Sequence, residues 1–175
     1  MTSDKYCEHL VTIKKNRQMI SALLFLWIGI AAVIVLCLLV IRRAGLFSLL
    51  LSAAAIYGGV VMTKKLNIEY EYLVTNGDLD IDMIVGREKR KRLLSLNCRQ
   101  IVSVQRYAKG KLPGPSAGFS KISVYCNPDD SDAYTLIFSH PKMGKLCLTL
   151  DLPKEMQEAM LPYMDALLAR EAFRD

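Results

Sequence analysis

Two long uncharged runs dominate the first third of the chain. They cover residues 19–41 and 44–62, with only Arg42 and Arg43 between them. Each run is long enough for one bilayer crossing, which takes roughly 20 apolar residues. Neither run has a polar stripe, and a helix that is apolar all round must be buried on every side. The pattern therefore predicts two transmembrane helices at 19–41 and 44–62.

Two other interpretations of these runs fit less well. As core helices of a soluble protein they would need more covering chain than the remaining residues supply. A cleavable signal peptide has an apolar region of about 7–15 residues, which is shorter than the first run. The second run also follows almost at once. A helical hairpin in a membrane is the better interpretation.

The short connection and the basic residues around it predict the orientation of the hairpin. Two helices joined so closely must return to the side that they left, so both soluble ends share one face of the membrane. Two arginines lie in the connection, whereas the soluble ends next to the helices carry six basic residues: Lys5, Lys14, Lys15, Arg17, Lys64 and Lys65. The positive-inside rule then predicts a protein of the cell membrane with residues 1–18 and the C-terminal part on the cytoplasmic side.

Small residues lie four apart in the second helix. Ala54 and Gly58 share one face, as do Ala55 and Gly59. Small residues let helix backbones approach closely in lipid. We expect these faces to pack within the hairpin, and the alternative is a homodimer or another membrane protein's helix.

From residue 66 onward the pattern changes to that of β-strands. Residues 78–82 alternate carboxylates with aliphatic side chains, which predicts a strand with one buried face. Asn76–Gly77 precedes them and predicts a tight hairpin turn, since both residues tolerate positive φ. The pattern predicts about seven strands, grouped four and three around a loop at 108–120: 68–74, 78–84, 90–96, 100–107, 121–126, 133–138 and 146–150.

An amphipathic helix is predicted to end the chain. Apolar residues recur at a helical period from Met156 to Leu168. Asp151 is the expected N-cap, and Pro153 suits the first turn. Pro162 lies inside the pattern and is expected to bend the helix or to delay its start.

This order of elements resembles the pleckstrin-homology (PH) superfold, in which a C-terminal helix caps two orthogonal sheets. The stretch EYEYLVTNGDLDID…REKRKRLLSL (69–96) resembles an uncharacterised bacterial family of small membrane proteins with two helices and a cytoplasmic PH-like domain. The resemblance implies an α+β membrane protein: a helical hairpin, then a seven-stranded β-barrel or sandwich at 66–175 with its C-terminal helix. It implies no catalytic residue, because fold alone does not determine function.

The net charge of +6 belongs to the hairpin and its flanks. All of the excess lies in residues 1–65, and residues 66–175 have no net charge, so the high pI reflects membrane orientation. One basic run remains, residues 87–92, with five candidates for contact with anionic lipid headgroups or a partner: Arg87, Lys89, Arg90, Lys91 and Arg92.

Its acidic neighbours give this basic run a simpler interpretation. In a hairpin, Asp80 and Asp82 come opposite Arg92 and Arg90, and such cross-strand pairs stabilise sheets. The carboxylates at 78, 80 and 82 could instead suggest a cation site, but they lack the glycine and glutamate of a calcium loop. No aromatic residues are interleaved with the basic run, so nucleic acid is not expected as a partner.

Few residues suggest catalysis. Residues 114–118 match the G-x-S-x-G pattern around Ser116, followed by Asp129 or Asp132 and then His140. A nucleophile elbow needs a strand before the serine and a helix after it, whereas a Pro/Gly loop precedes Ser116 and a strand follows. The five cysteines include no C-x-x-C pair, so we expect no metal site and no cofactor.

These features predict a non-enzymatic, membrane-anchored module. It would mediate contact with a protein or with the membrane surface on the cytoplasmic face, through residues 87–92 or the loop at 109–120. An alternative is an accessory subunit of a larger membrane complex that docks through the hairpin. A membrane-associated serine hydrolase is the remote alternative.

Overall fold

The computed structural model describes residues 6–108, 118–127, 129–130 and 132–173, with residues 41–44 described by their backbone only. The chain divides into two compact units. One consists of residues 14–68 and 85–88, and the other of residues 1–13, 69–84 and 89–175. The first is helical and the second is built from β-sheets and short helices.

The helical unit contains the two predicted apolar helices, α1 (Arg17–Ala44) and α2 (Leu46–Lys65). Both are long and apolar enough to cross a membrane, judged by length and composition. Gly45 joins them with a φ of +49°, a conformation that glycine adopts without steric cost. The prediction of two apolar helices is confirmed, and each extends a few residues beyond its uncharged run.

The described residues of the β unit form eight strands, one more than the pattern predicts. The unpredicted strand is β1, which lies before the helices and pairs antiparallel with β2 from Tyr6↔Thr75 to Thr12↔Glu69. The helical hairpin is therefore inserted between two neighbouring strands of one sheet. The strands are β1 Tyr6–Thr12, β2 Ile68–Thr75, β3 Asp78–Val85, β4 Lys89–Asn97, β5 Ile101–Arg106, β6 Lys121–Val124, β7 Ala133–His140 and β8 Gly144–Asp151.

The eight strands form two sheets of four. The first has the order β1-β2-β3-β4 and the second the order β5-β7-β8-β6. The predicted grouping is wrong for β5, which belongs to the second sheet, while β1 completes the first. In the second sheet β6 runs parallel to β8, and the other pairs are antiparallel. The two sheets do not close into a barrel within the described residues, so the predicted barrel is replaced by two open sheets.

The turn between β2 and β3 forms as predicted. Asn76 has a φ of +50° and Gly77 a φ of +88°, and both values must be positive in a type I′ hairpin turn. A Cβ atom on Gly77 would lie 2.6–2.8 Å from atoms of Tyr163. Glycine is thus required here both by the backbone conformation and by the close packing of the C-terminal segment.

The C-terminal segment caps the core in separate pieces. Helix α3 (Lys154–Met160) is followed by a 3-10 helix (Leu161–Tyr163) and then by α4 (Ala166–Glu171). Pro162 was expected to bend the helix or to delay its start, whereas in the structure the helix ends before it. Proline cannot donate the backbone hydrogen bond that would continue the helix. The prediction that Asp151 is the N-cap of this helix is wrong. It ends β8, and Pro153 occupies the N-cap position of α3.

Candidate functional site

The basic run begins in the turn between β3 and β4, which packs against the end of α2. Gly86 and Arg87 both have positive φ, +63° and +60°, and turn the chain sharply. The Gly86 backbone N–H donates a hydrogen bond of 2.8 Å to the Asn67 carbonyl. Lys64 Nζ lies 2.6 Å from Glu88 Oε1. The turn is therefore fixed at the C-terminal end of α2.

Two of the arginines are held by carboxylates of the neighbouring strand. Arg90 Nε lies 2.8 Å from Asp82 Oδ2, and Arg92 Nη1 lies 3.0 Å from Asp80 Oδ2. The predicted cross-strand pairing is thereby confirmed. Arg92 Nε also reaches Asp82 Oδ1 at 3.0 Å, and these carboxylates raise the pKa of Arg92, Asp82 most strongly. Asp82 therefore bridges both guanidinium groups.

A third carboxylate joins this cluster from β2. Arg90 is also paired with Glu71, so that one guanidinium group serves two strands. Glu71 and Asp82 are buried, with relative exposures of 6% and 4%. A buried carboxylate is tolerated only when a counter-charge and hydrogen bonds compensate its lost hydration. The two arginines therefore neutralise buried carboxylates of the first sheet.

The lysines of the basic run have a different environment. Lys89 and Lys91 are exposed and have no hydrogen bond or ion pair within the described part of the chain. They alternate with Arg90 and Arg92 along β4, so they point to the other side of the strand. Arg87 is exposed and does have an electrostatic or hydrogen-bonding partner. The structure thus divides the five predicted contact residues into an internally paired set and a solvated set.

The small residues of α2 lie on two different faces. A Cβ on Gly59 would collide with Ile30 of α1, and Gly59 is buried, so this face packs within the hairpin. Ala55 is half-buried. By contrast Ala54 is exposed, and a Cβ on Gly58 would meet no atom within 4 Å. The helices therefore leave the Ala54 and Gly58 face uncovered.

A polar contact that the sequence does not reveal connects the first strand to the second sheet. His9 Nε2 of β1 lies 3.0 Å from Asp151 Oδ2 at the end of β8. Further along β1, Asn127 Nδ2 donates a hydrogen bond of 3.1 Å to the Thr12 carbonyl. No local sequence signal marks these pairs, because their members are more than a hundred residues apart.

His140, the described histidine of the G-x-S-x-G hypothesis, does not have the geometry of a triad histidine. Ser116 lies outside the described residues, as do residues 109–117 of the predicted loop. His140 Nδ1 accepts hydrogen bonds from the backbone N–H groups of Lys142 and Met143 at 3.2 and 3.0 Å. A triad histidine uses Nδ1–H as the donor to its aspartate, so the nitrogen is engaged in the opposite sense. His140 thus stabilises the turn between β7 and β8.

The cysteines and carboxylates show no arrangement for metal or thiolate chemistry in the described residues. No group of three or more His, Cys, Asp or Glu side chains is placed to hold a metal ion. Burial raises the pKa of both Cys98 and Cys126 to about 12. Both thiols therefore stay protonated at neutral pH, whereas a nucleophilic cysteine needs its thiolate form.

Comparison with known proteins identifies one family. The family described as bacterial PH-like domain (DUF6106) matches residues 3–170, which include β1, both apolar helices and nearly all of the β unit. No curated protein and no solved structure matches the chain. The family match therefore covers the fold and the charged hairpin together, and it assigns no residue a role.

Proposed function

Because the chain belongs to the bacterial PH-like domain family DUF6106, we propose that it is a non-enzymatic, membrane-anchored interaction module. PH-like domains are generally non-catalytic. The two apolar helices supply the anchor, and the β unit works at the cytoplasmic face of the membrane. The surface that it presents to the bilayer is the solvated part of the basic run, Lys89 and Lys91.

The exposure of the helices supports the anchor. Only 11% of the apolar window in each helix is buried by the rest of the chain. A core helix of a soluble protein would be mostly covered, and an uncovered apolar surface of this size needs another apolar environment. The hydrocarbon core of a bilayer provides it.

The observation that carries the proposal is the pairing of β1 with β2 across the hairpin. Thr12 and Glu69 are partners in the ladder, so the chain leaves the sheet toward α1 and returns from α2 at the same edge. Both ends of the hairpin must then lie on one side of the bilayer. The β1–β2 ladder cannot run through the bilayer, because an open sheet edge leaves backbone polar groups unsatisfied in the hydrocarbon region. The excess of basic residues at these ends favours the cytoplasmic side.

The position of the turn at 85–88 supports contact with lipid headgroups. It is fixed to the end of α2 by the Gly86–Asn67 and Lys64–Glu88 hydrogen bonds. Lys89 and Lys91 follow directly along the chain. Each lysine near an anionic leaflet contributes about 1 kcal/mol of attraction. Arg90 and Arg92 contribute less, since their charges are already compensated by buried carboxylates.

Reporter fusions test the topology. A reporter that is active only in the cytoplasm should be active when it is fused to either terminus. A reporter that is active only outside the cytoplasm should work when inserted at Gly45, between the helices. Opposite locations of the two termini would overturn the proposal, as would a fully soluble protein in membrane fractionation.

Lysine acylation in nanodiscs tests the lipid contact. The full chain is reconstituted in phosphatidylcholine discs and in discs with anionic phosphatidylglycerol, and the acylation rate of each lysine is read by mass spectrometry. Lys89 and Lys91 should react several-fold more slowly in the anionic discs, and 0.5 M NaCl should remove the difference because salt screens exposed charges. Lys154, an exposed lysine of α3, is the control. Equal rates for Lys89 and Lys91 in both discs would overturn the lipid contact.

A further inference from the structure

Charges of opposite sign are separated in the β unit, although its net charge is zero. Between Cys98 and Pro128 there are five Lys or Arg residues and no Asp or Glu, and between Ala133 and Leu150 there are two lysines and again no acid. These segments contain the four strands of the second sheet apart from Asp151, the last residue of β8. The other acidic residues of 66–175 lie before Cys98, among residues 129–132 and after Leu152.

One end of the second sheet carries three exposed lysines, which we call the lysine end: Lys121, Lys142 and Lys145. Lys121 begins β6 opposite Leu146, directly beside Lys145 in β8. The Ser120 N–H donates a hydrogen bond of 2.8 Å to the Lys145 carbonyl, which holds the two strands together at this end. None of the three amines has an ion pair or hydrogen bond within the described residues. Like charges that stay unpaired at one end of a sheet raise the local positive potential.

The opposite end of β8 leads into an acidic surface, which we call the glutamate face: Glu155 and Glu158. Glu155 and Glu158 lie on the exposed side of α3, which packs beside β1. Glu155 lies close enough to Cys7 of β1 to contribute to raising the pKa of that thiol. Lys154 is the one cation on the exposed side of α3. Neither Glu155 nor Glu158 has an ion pair in the part of the chain that the structure describes.

Strand β8 separates these two surfaces. It runs for eight residues from Gly144, beside the lysine end, to Asp151, after which α3 begins. At about 3.3 Å per residue, the separation is on the order of 25 Å. This distance exceeds the Debye length of about 8 Å at physiological salt. The two surfaces therefore cannot neutralise each other within one molecule, and each is available to a charge of opposite sign outside it.

We propose that two copies of this chain associate side by side, with the lysine end of each against the glutamate face of the other. The inference rests on the proposed anchoring, which inserts both copies into one bilayer in the same direction. A closed pair of copies inserted in this way has its two-fold axis along the membrane normal, so the proposal requires the lysine end and the glutamate face to lie at the same distance from the bilayer. This axis places the lysine end of each copy against the glutamate face of the other. Two sets of charge pairs therefore form in one closed dimer.

The energetics of this dimer depend on the shared membrane. An exposed ion pair contributes little by itself, so the contact would be weak between free domains in solution. Confinement to one bilayer raises the effective concentration of one copy around the other. Charge complementarity then determines the orientation of the pair and excludes arrangements that bring like charges together.

Charge reversal in both partners tests the proposal. Donor-labelled and acceptor-labelled full-length chains are reconstituted at low density in phosphatidylcholine liposomes, which carry no net lipid charge, and association is measured by energy transfer. K142E/K145E and E155K/E158K should each weaken self-association by at least about tenfold, because attraction becomes repulsion. Mixing the first variant with the second should restore association, since opposite charges then face each other at both contacts.

The remaining outcomes distinguish this dimer from other arrangements. Wild-type energy transfer should fall on raising NaCl from 0.1 to 0.5 M, whereas a dimer held by the Ala54 and Gly58 face would be insensitive to salt. Absence of wild-type transfer, no effect of either reversal, or no recovery on mixing would each overturn the inference. So would selective protection of Lys142 and Lys145 from acylation in anionic discs, which would assign the lysine end to lipid. Failure of the topology test alone would remove the anchoring and with it the dimer.

Discussion

Thr12 and Glu69 are direct partners in the β1–β2 ladder, although both apolar helices lie between them in the sequence. The β unit thus contains chain from both sides of the helical hairpin. A chain that supplies one strand before the two apolar helices and the rest after them cannot complete its first sheet until both helices have been made. The N-terminal segment is therefore a structural part of the domain.

The burial of each side chain in β1 predicts how much it contributes to the free energy of unfolding. Val11 is 5% exposed and belongs to the core, whereas its neighbour Leu10 is 49% exposed. Replacing Val11 with alanine should lower the free energy of unfolding by about 1–3 kcal/mol, because buried methyl groups and their contacts are lost. Leu10→Ala, the matched control, should change it by less than about 0.5 kcal/mol. Denaturant unfolding in detergent, followed by near-UV circular dichroism, measures both, and equal effects would contradict the inward packing of β1.

The arginine that bridges Glu71 and Asp82 makes a second prediction. Arg90→Ala removes the counter-charge of buried Glu71 and leaves buried Asp82 with Arg92 alone, and should destabilise the protein by about 3 kcal/mol. The value lies at the low end for buried ion pairs because Arg90 itself is half exposed. Lys91→Ala, one position along the same strand, should cost less than about 0.5 kcal/mol. The double variant D82A/R90A should cost less than the sum of its single changes, and strict additivity would show that the two groups do not interact.

Alanine substitution of two glycines with positive φ distinguishes the cost of backbone strain from the cost of steric conflict. At Gly118, with a φ of +72° and no atom of the described residues within 4 Å of an added Cβ, alanine should cost about 1–2 kcal/mol from the left-handed conformation alone. At Gly77, with a φ of +88°, the new Cβ also meets the Tyr163 side chain. Gly77→Ala should therefore be the more damaging change, by at least about 1 kcal/mol beyond Gly118→Ala. Thermal unfolding of the two variants compares them, and an equal loss would mean that the Tyr163 contact yields without cost.

The thiols provide a prediction about pH. Burial raises the pKa of Cys98 and Cys126 to about 12, above the ordinary value of about 8.5. In the folded protein the thiolate fraction at pH 8 is then on the order of one in ten thousand, and labelling by iodoacetamide should be very slow at both positions. Each raised pKa also means that the folded state retains a proton which the unfolded state loses. The contribution of these thiols to stability is therefore full below about pH 8.5 and falls as the pH rises toward 12.

Mass spectrometry of the labelled sites measures this pH dependence. Denatured protein should be labelled at all five cysteines and supplies the reference rate at each pH. The ratio of native to denatured labelling at Cys98 and Cys126 should stay far below one from pH 7 to pH 9. Rapid native labelling of either residue at pH 8 would show that its thiol is accessible and ionised.

Much of the candidate site could be predicted from local pattern. Asp80 and Asp82 alternate with aliphatic residues, and a short turn brings Arg92 and Arg90 beside them, so the pairs follow from strand periodicity alone. The pairing of Arg90 with Glu71 could not be predicted in this way, because β2 and β4 lie on opposite sides of β3. The contact between His9 and Asp151 is also unpredictable, since it joins the first strand to the last.

By itself, the sequence determined the two apolar helices, seven of the eight strands, the Asn76–Gly77 turn and the zero net charge of residues 66–175. Each of these depends on composition or on a period of two or 3.6 residues, which reports how a segment avoids water. Only the tertiary structure decided that β1 completes the first sheet and that β5 belongs to the second. It also placed the lysine end and the glutamate face at opposite ends of β8. Such choices depend on contacts between residues distant in sequence, and a count of charges along the chain carries no information about which of them become neighbours in space.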